Sequence, residues 1–188
     1  MTDLTGTLVR LWLYQRGYWS PDTLYRLWQL LMPDPETAKK IFFGRSVIGP
    51  PTPYPMLGDL IEFVRFFDAD PPGQRRLLIA QSLTAPDQVV GLFWFDDIVL
   101  RHRAAGNVLY RRRFWGAPAR EASRLALAWG FAELGVRAIW AYTPWRVAVK
   151  HCEAVGLSLV ATLPEFVELD GVPTDMHILR VRKEDFHG

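Results

Sequence analysis

The sequence of 188 residues is short of cysteine, of excess charge and of long apolar runs. Cys152 is the sole cysteine, which excludes an internal disulfide and a thiolate-rich zinc site. Lysine and arginine number 22 against 20 acidic residues, and a formal charge of +2 does not predict a nucleic-acid partner. No uncharged apolar run approaches the roughly 20 residues that span a bilayer, and the first residues lack the pattern of a signal peptide. We therefore expect a cytoplasmic protein without membrane contact.

What the chain does have is ordinary globular composition, with 49% hydrophobic and 22% charged residues. A chain of this length can bury about 70% of the surface that its unfolded form exposes, so it can fold without a metal or disulfide. The four histidines show no metal-ligand spacing, and we predict no metal site. No repeat or low-complexity tract divides the chain, so we predict one domain over residues 1–188.

The order of predicted elements indicates a mixed α/β (α+β) protein. Hydrophobic periodicity and turn residues predict strands at 7–14, 76–83, 89–100, 107–114 and 137–142, two more around a turn at 170–173, and helices at 20–32, 35–43, 57–67, 119–134 and 146–155. The three middle strands form an antiparallel meander with turns at 85–87 and 105–106. Because strands outnumber helices without strict alternation, we expect about seven strands in one twisted, mostly antiparallel sheet with helices on both faces.

The segment with the strongest chemical signal joins a strand to the longest helix. The strand ends in Arg111-Arg112-Arg113, and small residues at 116–119 begin the helix. Free main-chain N–H groups at a helix start attract an anion, and small side chains let a phosphate approach them. The loop is neither a dinucleotide fingerprint nor a Walker A loop. We therefore predict a phosphate site of another kind.

These residues resemble the GNAT superfamily of N-acetyltransferases, in particular its branch of ribosomal-protein N-terminal acetyltransferases. The resemblance rests on Arg113-Phe114-Trp115-Gly116, on Ala119-Arg120-Glu121-Ala122, on the helix that ends in Ala132-Glu133-Leu134-Gly135, and on 151–157, which is similar to Tyr-Glu-Lys-Leu-Gly-Phe in the family. The motifs cover residues 107–160, and the order of elements extends the resemblance to the whole chain.

The resemblance implies that the fourth and fifth strands splay apart and that acetyl-CoA enters the gap between them. It places pantetheine contacts at Leu109, Tyr110 and Arg111. It places pyrophosphate contacts at Arg112, Arg113, Gly116, Ala117, Ala119 and Arg120, most of them through main-chain N–H groups. The activity that it implies is transfer of an acetyl group to a primary amine, on a small molecule or a peptide.

Three positions depart from the family pattern. Pro118 stands where a second small residue is expected, Trp145 replaces an asparagine that contacts the cofactor, and Cys152 replaces the tyrosine that protonates the leaving thiolate. We assign Trp145 to cofactor stacking and name Cys152 as the candidate proton donor, although the helical face that Cys152 shares with Ala148 and Val155 favours a core position. These departures also keep open a catalytically inactive GNAT-fold module for binding or assembly.

Other hypotheses remain at this stage. Asp96 or Asp97 could deprotonate the acceptor amine, although a bulge or strand end with exposed acids is the preferred interpretation of both. A small nucleic-acid binder would use Arg101, Arg103 and the Arg111–Arg113 run. The acceptor site is expected in residues 18–70 and 164–176, which carry no specific signal, and the oligomeric state, a homodimer included, stays open.

Overall fold

A computed structural model of the chain describes residues 4–14, 75–169 and 171–187. Within them lie seven strands and two α-helices. These are β1 Val9–Leu13, β2 Arg76–Ser82, β3 Val89–Val99, β4 Arg103–Tyr110, α1 Ala117–Glu133, β5 Ala138–Thr143, α2 Arg146–Ala154, β6 Ser158–Leu169 and β7 Val172–Arg182, with 3₁₀ turns at Arg112–Phe114 and Lys183–Asp185. The helices predicted at 20–32, 35–43 and 57–67 lie outside the described residues.

The seven strands form one mixed sheet in the order β1-β2-β3-β4-β5-β7-β6. Each neighbouring pair is antiparallel except β4 and β5, which run parallel. The predicted class and the meander of β2, β3 and β4 are confirmed.

The predicted position of β4 is wrong by several residues. The predicted turn at Ala105-Gly106 lies inside the strand, and the chain reverses instead at Leu100–His102, where Arg101 has a φ of 63°. A Cβ at Gly106 would lie 3.1 Å from Phe93 and 3.2 Å from Ile139, so this glycine marks close packing and not a turn. At its other end β4 stops at Tyr110, because residues 112–114 form a 3₁₀ turn.

The last hairpin also turns more tightly than predicted. Val172 and Pro173 begin β7 instead of belonging to the turn, where Gly171 has a φ of 78°. Pro173 pairs with Glu168 at the start of the strand, where a proline is tolerated.

The core lies between the sheet and helix α1. Phe95 of β3 is fully buried and stacks on Trp129 of α1, with ring centroids 5.8 Å apart. Gly130 allows this approach, since a Cβ there would lie 2.7 Å from Phe95. Helix α2 contacts α1, where the guanidinium of Arg124 donates to the Ala154 carbonyl oxygen over 2.9 Å. The start of α1 and the side of α2 are thereby fixed against the ends of β4 and β5.

Candidate active site

A fork between β4 and β5 is the central feature of the site. The two strands pair only from Arg103–Ala105 to Ala138–Trp140, and beyond these residues they separate. A cavity of about 560 Å³ lies in the fork, bounded by the two strands, the start of α1 and one side of α2. Tyr110 and Tyr142 line it from the two strands. The splayed strands that the resemblance implies are therefore present.

The main chain of β4 offers hydrogen-bonding groups to the fork at every second residue. Arg111 N–H donates to the Val90 carbonyl oxygen of β3 over 3.0 Å, whereas the His102 carbonyl oxygen accepts from residues 137 and 138. Because the N–H and C=O groups of successive strand residues point to opposite sides, those of 106, 108 and 110 face the fork. The Tyr110 carbonyl oxygen is already occupied by Trp115 Nε1, at 2.9 Å.

This alternation separates the main-chain groups of the three predicted pantetheine contacts, all of which stay predictions, and Leu109 lines the cavity together with Tyr110. Leu109 and Arg111 present their main-chain groups to β3, so Tyr110 is the one of the three whose N–H faces the cavity. Val108, which the sequence analysis does not include, presents its N–H there as well. The register of β4 relative to β3 decides which main-chain N–H groups face the cavity, and the sequence does not reveal that register.

The turn before α1 leaves several main-chain N–H groups unused. The N–H groups of Phe114 and Trp115 close the 3₁₀ turn, and Arg120 N–H donates to the Gly116 carbonyl oxygen. Within the described residues no hydrogen bond occupies the N–H groups of Gly116, Ala117 or Ala119. Gly116 and Ala119 line the cavity. Pro118 lies in the first turn of the helix, where its missing N–H costs no intrahelical bond.

The predicted arginines divide into two groups. Arg120, on the first turn of α1, lines the cavity, but Arg111, Arg112 and Arg113 are not part of its wall. Burial, and then the nearby charge of Arg113, lowers the pKa of the Arg111 guanidinium. Arg113 lies over the Phe114 ring, 4.7 Å from its centroid, and Arg112 is exposed. A direct contact of these three side chains with a ligand in the cavity stays a prediction.

Helix α2 brings Trp145 and Cys152 to the cavity wall. Trp145 is the residue before the helix, and its N–H donates to Thr143 Oγ1 over 3.1 Å. Burial, and then the nearby charge of Glu153, raises the pKa of the Cys152 thiol to about 12. Cys152 is therefore a weaker acid than an ordinary cysteine thiol.

A chain of three polar side chains that was not predicted from the sequence lies in the same wall. The hydroxyls of Tyr110 and Ser123 are 2.8 Å apart, and Ser123 Oγ lies 2.9 Å from His151 Nε2. All three residues line the cavity, from β4, α1 and α2 respectively. Ser123 and His151 are separated by 28 residues, and no motif links them.

Asp96 and Asp97 have different surroundings. Asp96 is buried, and its Oδ2 accepts from Asn107 Nδ2 over 3.0 Å and from Trp94 Nε1 over 3.2 Å. Asn107 and Trp94 line the cavity, and Asp96 lies behind them. Burial raises the pKa of Asp96 to about 8, against the lowering effect of Asn107. Asp97, with a φ of 47°, is exposed and lies 3.4 Å from Arg103.

Two kinds of site are absent from the described residues. These residues contain no group of three histidine, cysteine or acidic side chains that could hold a metal ion. None of their helices is long and apolar enough to cross a membrane.

Solved structures share this fold over nearly the whole chain. Spermidine N-acetyltransferase from Vibrio cholerae, in complex with CoA and spermine, is 16% identical with a TM-score of 0.72, and the match covers 94% of this chain and 96% of that one. Ribosomal-protein-S5-alanine acetyltransferase from Vibrio fischeri is 13% identical with a TM-score of 0.68, and 98% of each chain is covered. The chain therefore has the GNAT fold. No protein-family profile and no curated protein sequence matches it.

Proposed function

We propose that the chain, as one domain over residues 1–188, is an acetyl-CoA-dependent N-acetyltransferase that acts on a primary amine by direct attack in a ternary complex. The observation that carries the proposal is the fork, with unused main-chain N–H groups along β4 and at the start of α1. The two structural neighbours named above are acetyltransferases, and the first binds CoA. A cytoplasmic location and a homodimer stay predictions.

The residues present fit acetyl-CoA in three respects. A pantetheine chain carries amides that can pair with the Val108 and Tyr110 N–H groups, as a strand would. A pyrophosphate suits the N–H groups of Gly116, Ala117 and Ala119, where the dipole of α1 favours negative charge. The Arg120 guanidinium, on the same turn, adds a formal charge. When bound, acetyl-CoA supplies the activated acetyl group.

The chain contributes chiefly position and hydrogen bonding to the reaction. An N–H on β4 that faces the cavity can polarise the thioester carbonyl, which gains negative charge as the amine attacks. Trp94, Trp140 and Tyr142 line the cavity, and aromatic rings attract an ammonium group or an apolar body. Holding both reactants in one cavity removes much of the entropic barrier.

Calorimetric titration with acetyl-CoA tests the cofactor site. We expect saturable binding that Arg120→Gln weakens by about tenfold, since one charge-assisted contact contributes about 1.5 kcal/mol. Arg137→Gln is the charge-matched control, because Arg137 is exposed and lies outside the cavity wall. Absence of binding at millimolar acetyl-CoA contradicts the proposal.

Release of CoA thiol in the presence of amines tests the activity. Spermidine, a peptide with an N-terminal alanine, and tyramine represent a polyamine, a peptide and an aromatic monoamine. We expect thiol release with at least one of them. Tight acetyl-CoA binding without thiol release from any amine would instead favour the catalytically inactive module.

A further inference from the structure

The side chains of Tyr110, Ser123 and His151 form a continuous hydrogen-bonded path along one wall of the cavity. The two contacts measure 2.8 Å and 2.9 Å, within the range of good hydrogen bonds. The path starts at the hydroxyl of Tyr110, a residue of β4 that lines the cavity. It ends at an imidazole that is only half-buried. The path therefore joins two buried hydroxyl-bearing residues to a partly exposed imidazole.

The protonation states of the side chains along the path suit proton transfer towards the cavity. Burial keeps the Tyr110 hydroxyl protonated, since it raises the Tyr110 pKa well above the ordinary value of 10.0. Burial, and then the positive charge of Arg120, lowers the pKa of His151, so its imidazole is neutral near pH 7. Nε2 is the His151 nitrogen with a hydrogen bond in the described residues, which leaves Nδ1 for exchange with water.

The charged and titratable groups around His151 come from three elements. Arg120 approaches from α1, Tyr110 from β4 with a ring centroid 5.7 Å away, and Lys150 and Cys152 flank it on α2. No carboxylate of the described residues is hydrogen-bonded to the ring. Its surroundings therefore disfavour a lasting imidazolium and favour brief passage of a proton.

Building on the proposed function, we propose that the Tyr110 hydroxyl protonates the sulfur of the departing CoA and that Ser123 and His151 restore its proton. The acceptor nitrogen bonds to the thioester carbon as the carbon–sulfur bond breaks, and the electron pair of that bond goes to sulfur. Sulfur takes the Tyr110 proton, Tyr110 takes the Ser123 proton, and Ser123 takes the proton on His151 Nε2. Nδ1 takes a proton from water, and the proton of the amine leaves to solvent.

The relay supplies a proton donor to a site in which Cys152 replaces the tyrosine that serves as the donor in the family. Cys152 lies close enough to Tyr110 for a charge on the thiol to raise the tyrosine pKa. Its own thiol is a weak hydrogen-bond donor, and in the described residues the Tyr110 hydroxyl, unlike the thiol, is hydrogen-bonded to a chain of further proton donors. Tyr110 therefore offers a hydroxyl from β4 beside the helix position where the family carries one.

Three substitutions test the relay by kinetics, with thiol release measured for the best amine of the panel. Tyr110→Phe, Ser123→Ala and His151→Gln are each expected to lower kcat by about 100-fold, the usual contribution of a positioned acid. Calorimetric affinity for acetyl-CoA is expected to stay within threefold. His151→Gln is the critical variant, because an amide can keep the hydrogen bond to Ser123 but cannot pass a proton. Exposed Ser158→Ala and His102→Gln are matched controls.

A purely structural role gives a different result. In that case His151→Gln keeps wild-type kcat, and imidazole added to His151→Ala restores nothing. Either result overturns the relay. The relay predicts that imidazole raises the kcat of His151→Ala at least fivefold, and that matched salt does not.

A measurement without turnover separates this inference from the proposed function. We expect the ¹⁵N shifts of the His151 ring to respond differently to CoA and to desulfo-CoA, because only CoA places a sulfur at the start of the path. Tyr110→Phe is expected to make the two responses alike. Equal responses in the wild type would overturn the relay but leave acetyl-CoA binding intact, whereas no response to either ligand would contradict the cofactor site itself.

Discussion

Gly116 is the residue whose backbone conformation most directly shapes the candidate phosphate site. Its φ of 107° and ψ of −131° begin helix α1, and residues other than glycine rarely adopt this combination. A Cβ there would meet nothing within 4 Å, so the cost of a side chain is conformational and not steric. Gly135, after the same helix, also has an open environment but a φ of 63°, which is the milder left-handed region.

We expect Gly116→Ala to lower the free energy of unfolding by about 2–3 kcal/mol and Gly135→Ala by about 1 kcal/mol, measured by chemical denaturation. Only Gly116→Ala should also weaken acetyl-CoA binding in the calorimeter. Equal losses of stability in the two variants would contradict this account of the turn.

Asp96 supplies a prediction about pH. Its carboxyl has a pKa of about 8 in the folded protein, against an ordinary value of 3.8, because burial penalises its charge. Between these pH values the folded state binds one proton more than the unfolded state, so stability falls as pH rises. Asp96→Asn removes this titration and can still accept from Asn107 and Trp94.

The variant should therefore gain stability over the wild type as pH rises from about 4 to about 8, with a constant difference above that range. Thermal unfolding followed across this range measures it, with exposed Asp97→Asn as the control. A stability difference that stays constant across this range would show that Asp96 ionises with an ordinary pKa in the folded protein.

At the scale of elements, Glu121 connects α1 to the start of β1. Its carboxylate accepts from the Thr7 hydroxyl at 2.6 Å and from the N–H groups of Thr7, Leu8 and Val9 at 2.9, 2.7 and 2.8 Å. Burial raises its pKa, but these four hydrogen bonds outweigh that effect, and the pKa lies below the ordinary value of 4.5. The glutamate of the Ala-Arg-Glu-Ala motif therefore has a structural role.

We expect Glu121→Gln to lower the free energy of unfolding by about 1–2 kcal/mol at pH 7, because hydrogen bonds to a charged group are lost but solvent screens this partly exposed carboxylate. This contribution is present above pH 4.5 and disappears as pH falls through the lowered pKa of the folded state, so the two proteins should converge in acid. Glu153→Gln, an exposed acid on α2, should change stability by less than about 0.5 kcal/mol in denaturant titrations. A difference that persists below pH 3 would contradict the role of the carboxylate.

At the scale of the whole molecule, the fork divides β4 into two sets of amides. Those of Leu109 and Arg111 face β3, whereas those of Val108 and Tyr110 face the cavity. We expect saturating acetyl-CoA to slow hydrogen exchange at Val108 and Tyr110 much more than at Leu109 and Arg111, as measured by NMR. Uniform slowing over all four would indicate general stabilisation, and slowing at Leu109 and Arg111 alone would contradict the deduced alternation.

The candidate site could be predicted where it depends on a short stretch of chain. The start of α1, with its small residues and nearby arginines, is visible in the sequence because helix starts and glycine conformations are local properties. Which residues of β4 face the fork could not be predicted, because this depends on pairing with β3. The predicted bounds of β4 were wrong for a related reason. In the sequence alone Gly106 indicates a turn, whereas in the folded sheet it lies inside β4 and allows close packing against Phe93 and Ile139.

By itself the sequence determined the class of fold, the strand-to-helix turn and the resemblance that pointed to acetyl-CoA, since local composition and hydrophobic periodicity carry that information. Only the tertiary structure decided that Tyr110, Ser123 and His151 meet, that Glu121 bonds to residues more than 110 positions away, and that Arg120 lines the cavity while its neighbours at 111–113 do not. These contacts follow from how helices and strands pack, and the packing of distant segments is not written in any short motif.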